Sequence, residues 1–126
     1  TAQAFAITTG KNADTVTLRD STLDRVYAQL GKGHDTLTAE RITSRSTAID
    51  AGDGNDTLRL TEYFAVPQAG VGGDLTIRGG NGNDTATLDV VVATTAVLDG
   101  GNGTDTLDEV NVLFNNRVVK KFEVVL

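Results

Sequence analysis

Five aspartates that close short glycine-containing segments give this chain its clearest chemical pattern. The segments are GKNAD, GKGHD, GDGND, GNGND and GNGTD, and they end at Asp14, Asp35, Asp56, Asp84 and Asp105. Successive aspartates are separated by 21, 21, 28 and 21 residues, which predicts one structural unit stacked on copies of itself. Stacking brings the carboxylates and the flexible glycine backbone to one edge, where their oxygens suit a hard cation such as calcium.

The electrostatics of such a column favour a bound cation. Adjacent carboxylates about 5 Å apart repel each other by about 1–3 kcal/mol, and a cation between them removes that repulsion. Calcium fits better than magnesium because it accepts about six to eight oxygens in flexible geometry. Cysteine is absent, and the only histidine, His34, is expected in a solvent-facing turn, so the sulfur and imidazole ligands of zinc sites are lacking.

Composition narrows the class of protein further. The chain has 126 residues, which suffices for one domain, and 39% of them are hydrophobic, with no Trp, Met or Cys. The formal net charge of −6 disfavours nucleic acid and anionic membranes as partners. There is no apolar run of about 18 residues, so no membrane insertion is expected. The first residue is Thr1, and we expect a mature fragment or a domain from a longer chain with neighbouring domains.

Two apolar columns place the aspartates on β-strands. Two residues after each aspartate stand Val16, Leu37, Leu58, Ala86 and Leu107, and seven residues before each stand Ile7, Ala28, Ile49, Ile77 and Leu98. Alternation with Thr around these positions predicts strands with one face inside. Because one type of turn always precedes the same column, each repeat completes a full circuit. The sequence therefore predicts an all-β fold, a parallel β-solenoid (β-roll or β-helix) of about five coils.

Two segments depart from this repeat. The 28-residue step carries seven extra residues between Leu60 and Leu75, which we expect to form a loop on the return side of the coil. Residues 108–126 lack a turn motif, so we expect the coils to occupy 1–107 and this segment to cap the last coil. Within it, Asn115-Asn116 is a candidate tight turn and 118–126 a final strand or two. The alternative is a docking surface for a following domain.

The last three turns resemble a known calcium-binding repeat. The stretches GDGNDTLRL (52–60), GGNGNDTAT (79–87) and GGNGTDTLD (100–108) are similar to the Gly-Gly-x-Gly-x-Asp-x-apolar-x motif of the RTX, or haemolysin-type, family. The second turn has Leu30 in place of the first Gly, and the first turn has Asn12 in place of the second. The family repeat is about nine residues with two calcium turns per coil. Here one such turn recurs every 21 residues, so we expect one row of ions, as in RTX adhesins.

The resemblance implies a set of metal ligands. In that family the carbonyls and the aspartate of one turn share a calcium with the next turn, which makes Asp35, Asp56, Asp84 and Asp105 ligands and Asp14 a secondary one. The turn glycines would supply carbonyls or permit the turn, namely Gly31, Gly33, Gly52, Gly54, Gly80, Gly82, Gly101 and Gly103. Asp53, Asn55 and Asn83 are further candidates. The gaps 35/56, 56/84 and 84/105 are the principal predicted sites and 14/35 a secondary one, about three to four Ca²⁺ ions in all.

These observations predict a non-enzymatic calcium-binding module, structural or adhesive, of a secreted or cell-surface bacterial protein. It would fold when Ca²⁺ bridges the stacked turns. One alternative is a carbohydrate-binding accessory module of a polysaccharide-active secreted enzyme, with Arg19, Arg41, Arg59 and Arg78 facing an acidic glycan. An enzyme built on a parallel β-helix is disfavoured because no catalytic cleft is evident. The irregular turn residues likewise disfavour an ice-binding face.

Overall fold

The computed structural model describes residues 3–125, except for the side chain of Val124, and every regular element in that range is a β-strand. The strands are β1 Ala4–Thr8, β2 Thr15–Gln29, β3 Thr36–Asp50, β4 Thr57–Ala65, β5 Pro67–Gln68, β6 Val71–Gly72, β7 Asp74–Arg78, β8 Thr85–Asp99, β9 Thr106–Lys120 and β10 Val124–Val125. No helix long and apolar enough to cross a membrane occurs among these described residues.

The strands stack as a parallel β-solenoid of about six turns. Every coil pairs in parallel with the next in the order β1-β2-β3-β4-β8-β9-β10, and β7 completes the coil begun by β4. The register shifts by one repeat at each step, as Val16 pairs with Leu37 and Leu37 with Leu58. This confirms the predicted fold class.

Each coil has two corners besides the glycine-rich turn, and they give it three sides. Pairing of β2 with β3 covers 15–19, 21–23 and 25–29 and skips Asp20 and Asp24. The first corner has positive φ in every coil, at Asp20, Arg41, Glu62, Val90 and Asn111. The return that looked irregular in the sequence is thus extended strand with two bends.

The core consists of small aliphatic columns inside the coils. Inward residues of β8 step by two along a side and by three across a corner: Ala86, Leu88, Val91, Ala93, Ala96 and Leu98, all buried. Both columns that define the repeat are inside, from Val16 to Leu107 and from Ala28 to Leu98. Parallel stacking of such columns buries a continuous core, in which Tyr63 is the largest fully buried side chain.

The seven extra residues form a short hairpin at the second corner, on the return side, as predicted. Ser44 pairs with Ala65 and Ser46 with Asp74, so residues 66–73 take the place of Arg45 alone. Within them β5 and β6 pair antiparallel. The coil register continues undisturbed on both sides, since β7 pairs with β3 and β8.

The coiled region extends to Lys120, beyond residue 107, where the sequence places its end. Strand β9 pairs with β8 along its full length, and Asn115 falls at its second corner instead of ending a strand. Its interior changes character, because Glu109 and Arg117 stand in the columns of Leu88 and Ala96 and form an ion pair. Among the described residues that follow it, β10 is the only strand, and it pairs with Thr106 and Leu107. Leu126 lies outside the described residues.

Candidate metal-binding edge

The glycine-rich turns stack on one another at one edge of the solenoid. The two turn glycines have positive φ in four successive turns, with φ of 86° at Gly52 and 120° at Gly54, for example. A Cβ on Gly54 would overlap the carbonyl oxygen of Gly33 in the preceding turn, and the other stacked turns repeat this contact. These positions therefore require glycine both for their dihedral angles and for the close approach of the next turn.

The turn aspartates form a column inside this edge. Asp35, Asp56, Asp84 and Asp105 are at most 3% exposed. Oδ1 of each accepts a hydrogen bond from the main-chain N–H of the preceding turn's aspartate, at 2.7 Å from Asp14 to Asp35 and 2.8 Å from Asp84 to Asp105. One oxygen of each carboxylate is thus committed to joining the turns.

The other oxygen of each carboxylate has no partner. Oδ2 of all four buried aspartates is enclosed and accepts no hydrogen bond from the described residues. A fifth such atom, Glu109 Oε2, lies away from the turns in the last coil. Native proteins rarely leave a buried carboxylate oxygen unsatisfied, because the desolvation cost is large. The same unsatisfied acceptor recurs at one position in four successive turns, where a cation or a proton could satisfy it.

Burial of these carboxylates also raises the pKa values of three of the aspartates. Burial raises the pKa of Asp56 to about 6, and repulsion from Asp35 adds to the rise. Burial likewise raises the pKa of Asp84 to about 7, with further contributions from Asp56 and Asp105. The pKa of Asp105 is also raised by burial and by the charge of Glu123. The column therefore resists carrying its full negative charge unless a cation or a proton compensates it.

Glu123 extends the column and was not identified from the sequence. Its Oε2 accepts the main-chain N–H of Asp105 at 2.8 Å, the contact that the next aspartate makes in every earlier turn. Val124 pairs with Thr106, which puts Glu123 in register with Asp105. The spacing of 18 residues and the absence of glycine conceal this equivalence. The only signal in the sequence is a carboxylate followed by a short apolar strand.

Two further columns lie on the exposed outer rim of the turns. Oδ1 of Asn55 accepts the N–H of Asn83 at 2.8 Å, and His34 Nδ1 accepts that of Asn55 at 2.9 Å. Beside them, the amide of Asn81 donates to Asp53 Oδ1 at 2.7 Å. Asp53, Asn55 and Asn83 are thus engaged in bonds between turns on the solvent side, separate from the buried carboxylates.

The buried aspartates do not all have the same surroundings. Gly79 and Gly100 each stand five residues before an aspartate, where Leu30 and Ala51 stand in earlier turns. A Cβ placed on Gly79 would lie 2.6 Å from Asp84 Oδ2 and 2.5 Å from the Gly100 carbonyl oxygen of the next turn. A carboxylate oxygen and a carbonyl oxygen therefore converge on space that a side chain would fill. The last two turns hold these closely spaced oxygen pairs, which we call cradles.

Backbone carbonyls must complete any metal site on this edge. No group of three or more His, Cys, Asp or Glu side chains converges on one point in residues 3–125. The carbonyls of Gly31, Gly52 and Gly80 each accept one N–H from the next turn. An all-oxygen donor set of this kind fits calcium. Asp14 differs from the rest, because it is half-buried and begins the column.

The four arginines of the carbohydrate hypothesis do not share a face. Arg19 and Arg59 lie on the side that follows the turn, Arg41 on the first corner and Arg78 on the side that precedes the turn. Arg41 also forms an ion pair with Asp20. The flat basic surface expected for an acidic glycan is therefore not assembled.

The comparisons with known proteins add no relative to this picture. Searches with the chain against protein-family models, characterised proteins and solved structures give no significant match.

Proposed function

We propose that this chain is a calcium-binding structural module of a secreted or cell-surface protein, in which cations join the stacked turns and stabilise the solenoid. The observation that carries the proposal is the column of buried aspartates, each with one oxygen satisfied by the neighbouring turn and one without a partner. Calcium would supply the positive charge that this column lacks. The turns would supply carboxylate and carbonyl oxygens, and bound ions would make binding energy part of folding energy.

The external setting is part of the proposal and is supported by the affinity typical of such sites. Extracellular calcium modules bind with dissociation constants of about 10⁻⁴–10⁻³ M, which matches millimolar calcium outside cells. At a calcium concentration about 100 times the dissociation constant, each site would stabilise the fold by about 2.7 kcal/mol. In low calcium the same carboxylates repel one another, and the chain is less stable.

Circular dichroism and thermal melting in calcium and in chelator test this function. We expect the midpoint Tm to rise in millimolar calcium and to fall back in chelator, with magnesium much less effective. Isothermal titration calorimetry should detect the binding directly. An identical strand signal and Tm in calcium and in chelator, with no heat of binding, would contradict the proposal.

Two variants with the same charge change at different positions test whether the calcium-induced rise in Tm comes from the aspartate column. Asp84→Asn keeps the acceptor for Asp56 N–H but removes one buried charge, so we expect much of the calcium-induced rise in Tm to disappear. Asp89→Asn makes the same charge change on the outward face of the same coil and should leave the rise intact. Equal responses of the two variants would mean that calcium acts on general charge and not on the column.

A further inference from the structure

The C-terminal end of the column repeats the geometry of the glycine-rich turns without a glycine-rich turn. Gly100 N–H donates to the Lys120 carbonyl at 2.9 Å, which places the last residues as a rung on the turn 101–105. Lys121 has a φ of 56°, so the chain bends there, and Glu123 reaches the level of Asp105 after two further residues. The rung is three residues shorter than the preceding turns, yet it keeps the carboxylate.

Oxygens converge in this last gap as they do one turn earlier. A Cβ on Gly100 would lie 2.8 Å from Asp105 Oδ2 and would overlap the carbonyl oxygen of Lys121. The same arrangement at Gly79 joins Asp84 Oδ2 and the Gly100 carbonyl. Asp105 is fully buried, and its Oδ2 has no partner among the described residues. The cradle of the last turn is therefore complete, with Lys121 supplying the carbonyl.

Glu123 adds a second carboxylate beside this cradle. Its Oε2 accepts the main-chain N–H of Asp105 at 2.8 Å, so its carboxylate lies against the turn that carries Asp105. Glu123 is exposed, whereas the aspartates of the inner turns are buried. The gap is thus lined by a buried carboxylate, a backbone carbonyl and a solvent-accessible carboxylate, all oxygen donors suited to a divalent hard cation.

We infer that Asp105, Glu123 and the Lys121 carbonyl form a separate terminal calcium site that fastens the shortened last rung to the solenoid. The inference rests on the proposed calcium function and adds a site outside the glycine-rich repeat. Because Glu123 is open to solvent, this site exchanges its ion more readily than the inner gaps. Loss of that ion frees the segment 121–125 first, so the end of the solenoid responds to calcium before its body does.

Counting bound ions in matched variants tests the inference. Glu123→Gln keeps an oxygen that accepts Asp105 N–H but removes the charge, so a purely structural cap would remain intact. We expect native mass spectrometry and calorimetry to show one calcium fewer than in the original chain, with the affinity of that site lowered about tenfold or more. Glu62→Gln makes the same change on the first corner, away from the turns, and should leave the count unchanged.

A second measurement does not depend on any variant. In an NMR titration of the original chain, the amide signals of Asp105 and Val125 should shift together, at a calcium concentration different from that which shifts Asp56. An unchanged ion count in Glu123→Gln, or Asp105 and Val125 signals that never move while inner turns bind calcium, overturns the terminal site alone. Absence of any binding to the original chain overturns the proposed function as well.

Discussion

At the scale of single residues, stacking makes the second turn glycine a position that no other residue fits without strain. Gly54 has a φ of 120°, and a Cβ there would overlap the Gly33 carbonyl. We expect Gly54→Ala to lower the free energy of unfolding by about 2 kcal/mol or more, since it adds left-handed strain to a steric overlap with rigid backbone. Urea denaturation in calcium measures this loss.

Gly10 provides the control for that change. A Cβ on Gly10 meets nothing within 4 Å, and its φ is not in the left-handed region. Gly10→Ala should therefore be neutral or slightly stabilising, by up to about 1 kcal/mol through the unfolded state. Equal destabilisation by both substitutions would show that the close stacking of turns is not what requires glycine.

The first corner contains a different kind of strained residue. Val90 has a φ of 57°, a conformation that costs an L-residue roughly 1–2 kcal/mol and that Asn tolerates better. Asn111 already holds this corner in the next coil. We expect Val90→Asn to stabilise the protein by about 1 kcal/mol in urea denaturation. Val92→Asn, two residues later on an extended stretch, should not stabilise it.

At the scale of elements, the corners decide what the sequence could predict. The inward columns two residues after and seven residues before each aspartate lie on straight sides, where alternation is unbroken. At each corner the inward positions step by three, as between Leu60 and Tyr63, so alternation changes phase. A strand of 15 residues then looks like a strand and an irregular return. The strands next to the turns were predictable for this reason, and the rest of the coil was not.

The hairpin at residues 66–73 should be dispensable. In each neighbouring coil a single residue, Arg45 or Thr94, occupies the position of this hairpin. We expect replacement of 66–73 by a single Thr to retain the strand signal and the calcium response, and to change the unfolding free energy by less than about 1 kcal/mol, since loop length costs little. Circular dichroism with and without calcium measures the strand signal and the calcium response, and urea denaturation measures the unfolding free energy.

A deletion of equal length inside a coil gives the contrasting result. Removal of residues 36–42 deletes the inward residues Leu37, Ala39 and Ile42 and shifts the rest of β3 out of register, so it should abolish cooperative melting. Loss of cooperative melting in the hairpin variant too would contradict the inserted position of residues 66–73.

The candidate site was only partly predictable for a related reason. The aspartate column follows from the repeat alone, because identical turns must stack. Burial of the carboxylates and their division into one bonded and one free oxygen depend on how closely the turns approach. Glu123 was not predictable because its rung is shortened. The candidate residues Asp53, Asn55 and Asn83 lie on the rim because the turn directs those positions outward.

At the scale of the whole molecule, the column couples stability to both pH and calcium. The folded-state pKa values of Asp56 and Asp84, about 6 and about 7, lie above the ordinary value of 3.8. Between the ordinary pKa of 3.8 and the raised values, the folded chain binds more protons than the unfolded chain. Its stability therefore falls as the pH rises through this range. The stability that protonation provides is complete below about pH 4 and is lost through about pH 7.

Calcium should reverse this dependence, because it binds the deprotonated carboxylates. In metal-free buffer we expect Tm to be higher at pH 5 than at pH 8. In 10 mM calcium, a concentration about 100 times a dissociation constant of 10⁻⁴ M, the difference should shrink or change sign. Asp84→Asn removes the group with the larger shift and should flatten the metal-free profile. A metal-free Tm that rises from pH 5 to pH 8 would show that the buried column carries no electrostatic strain for calcium to relieve.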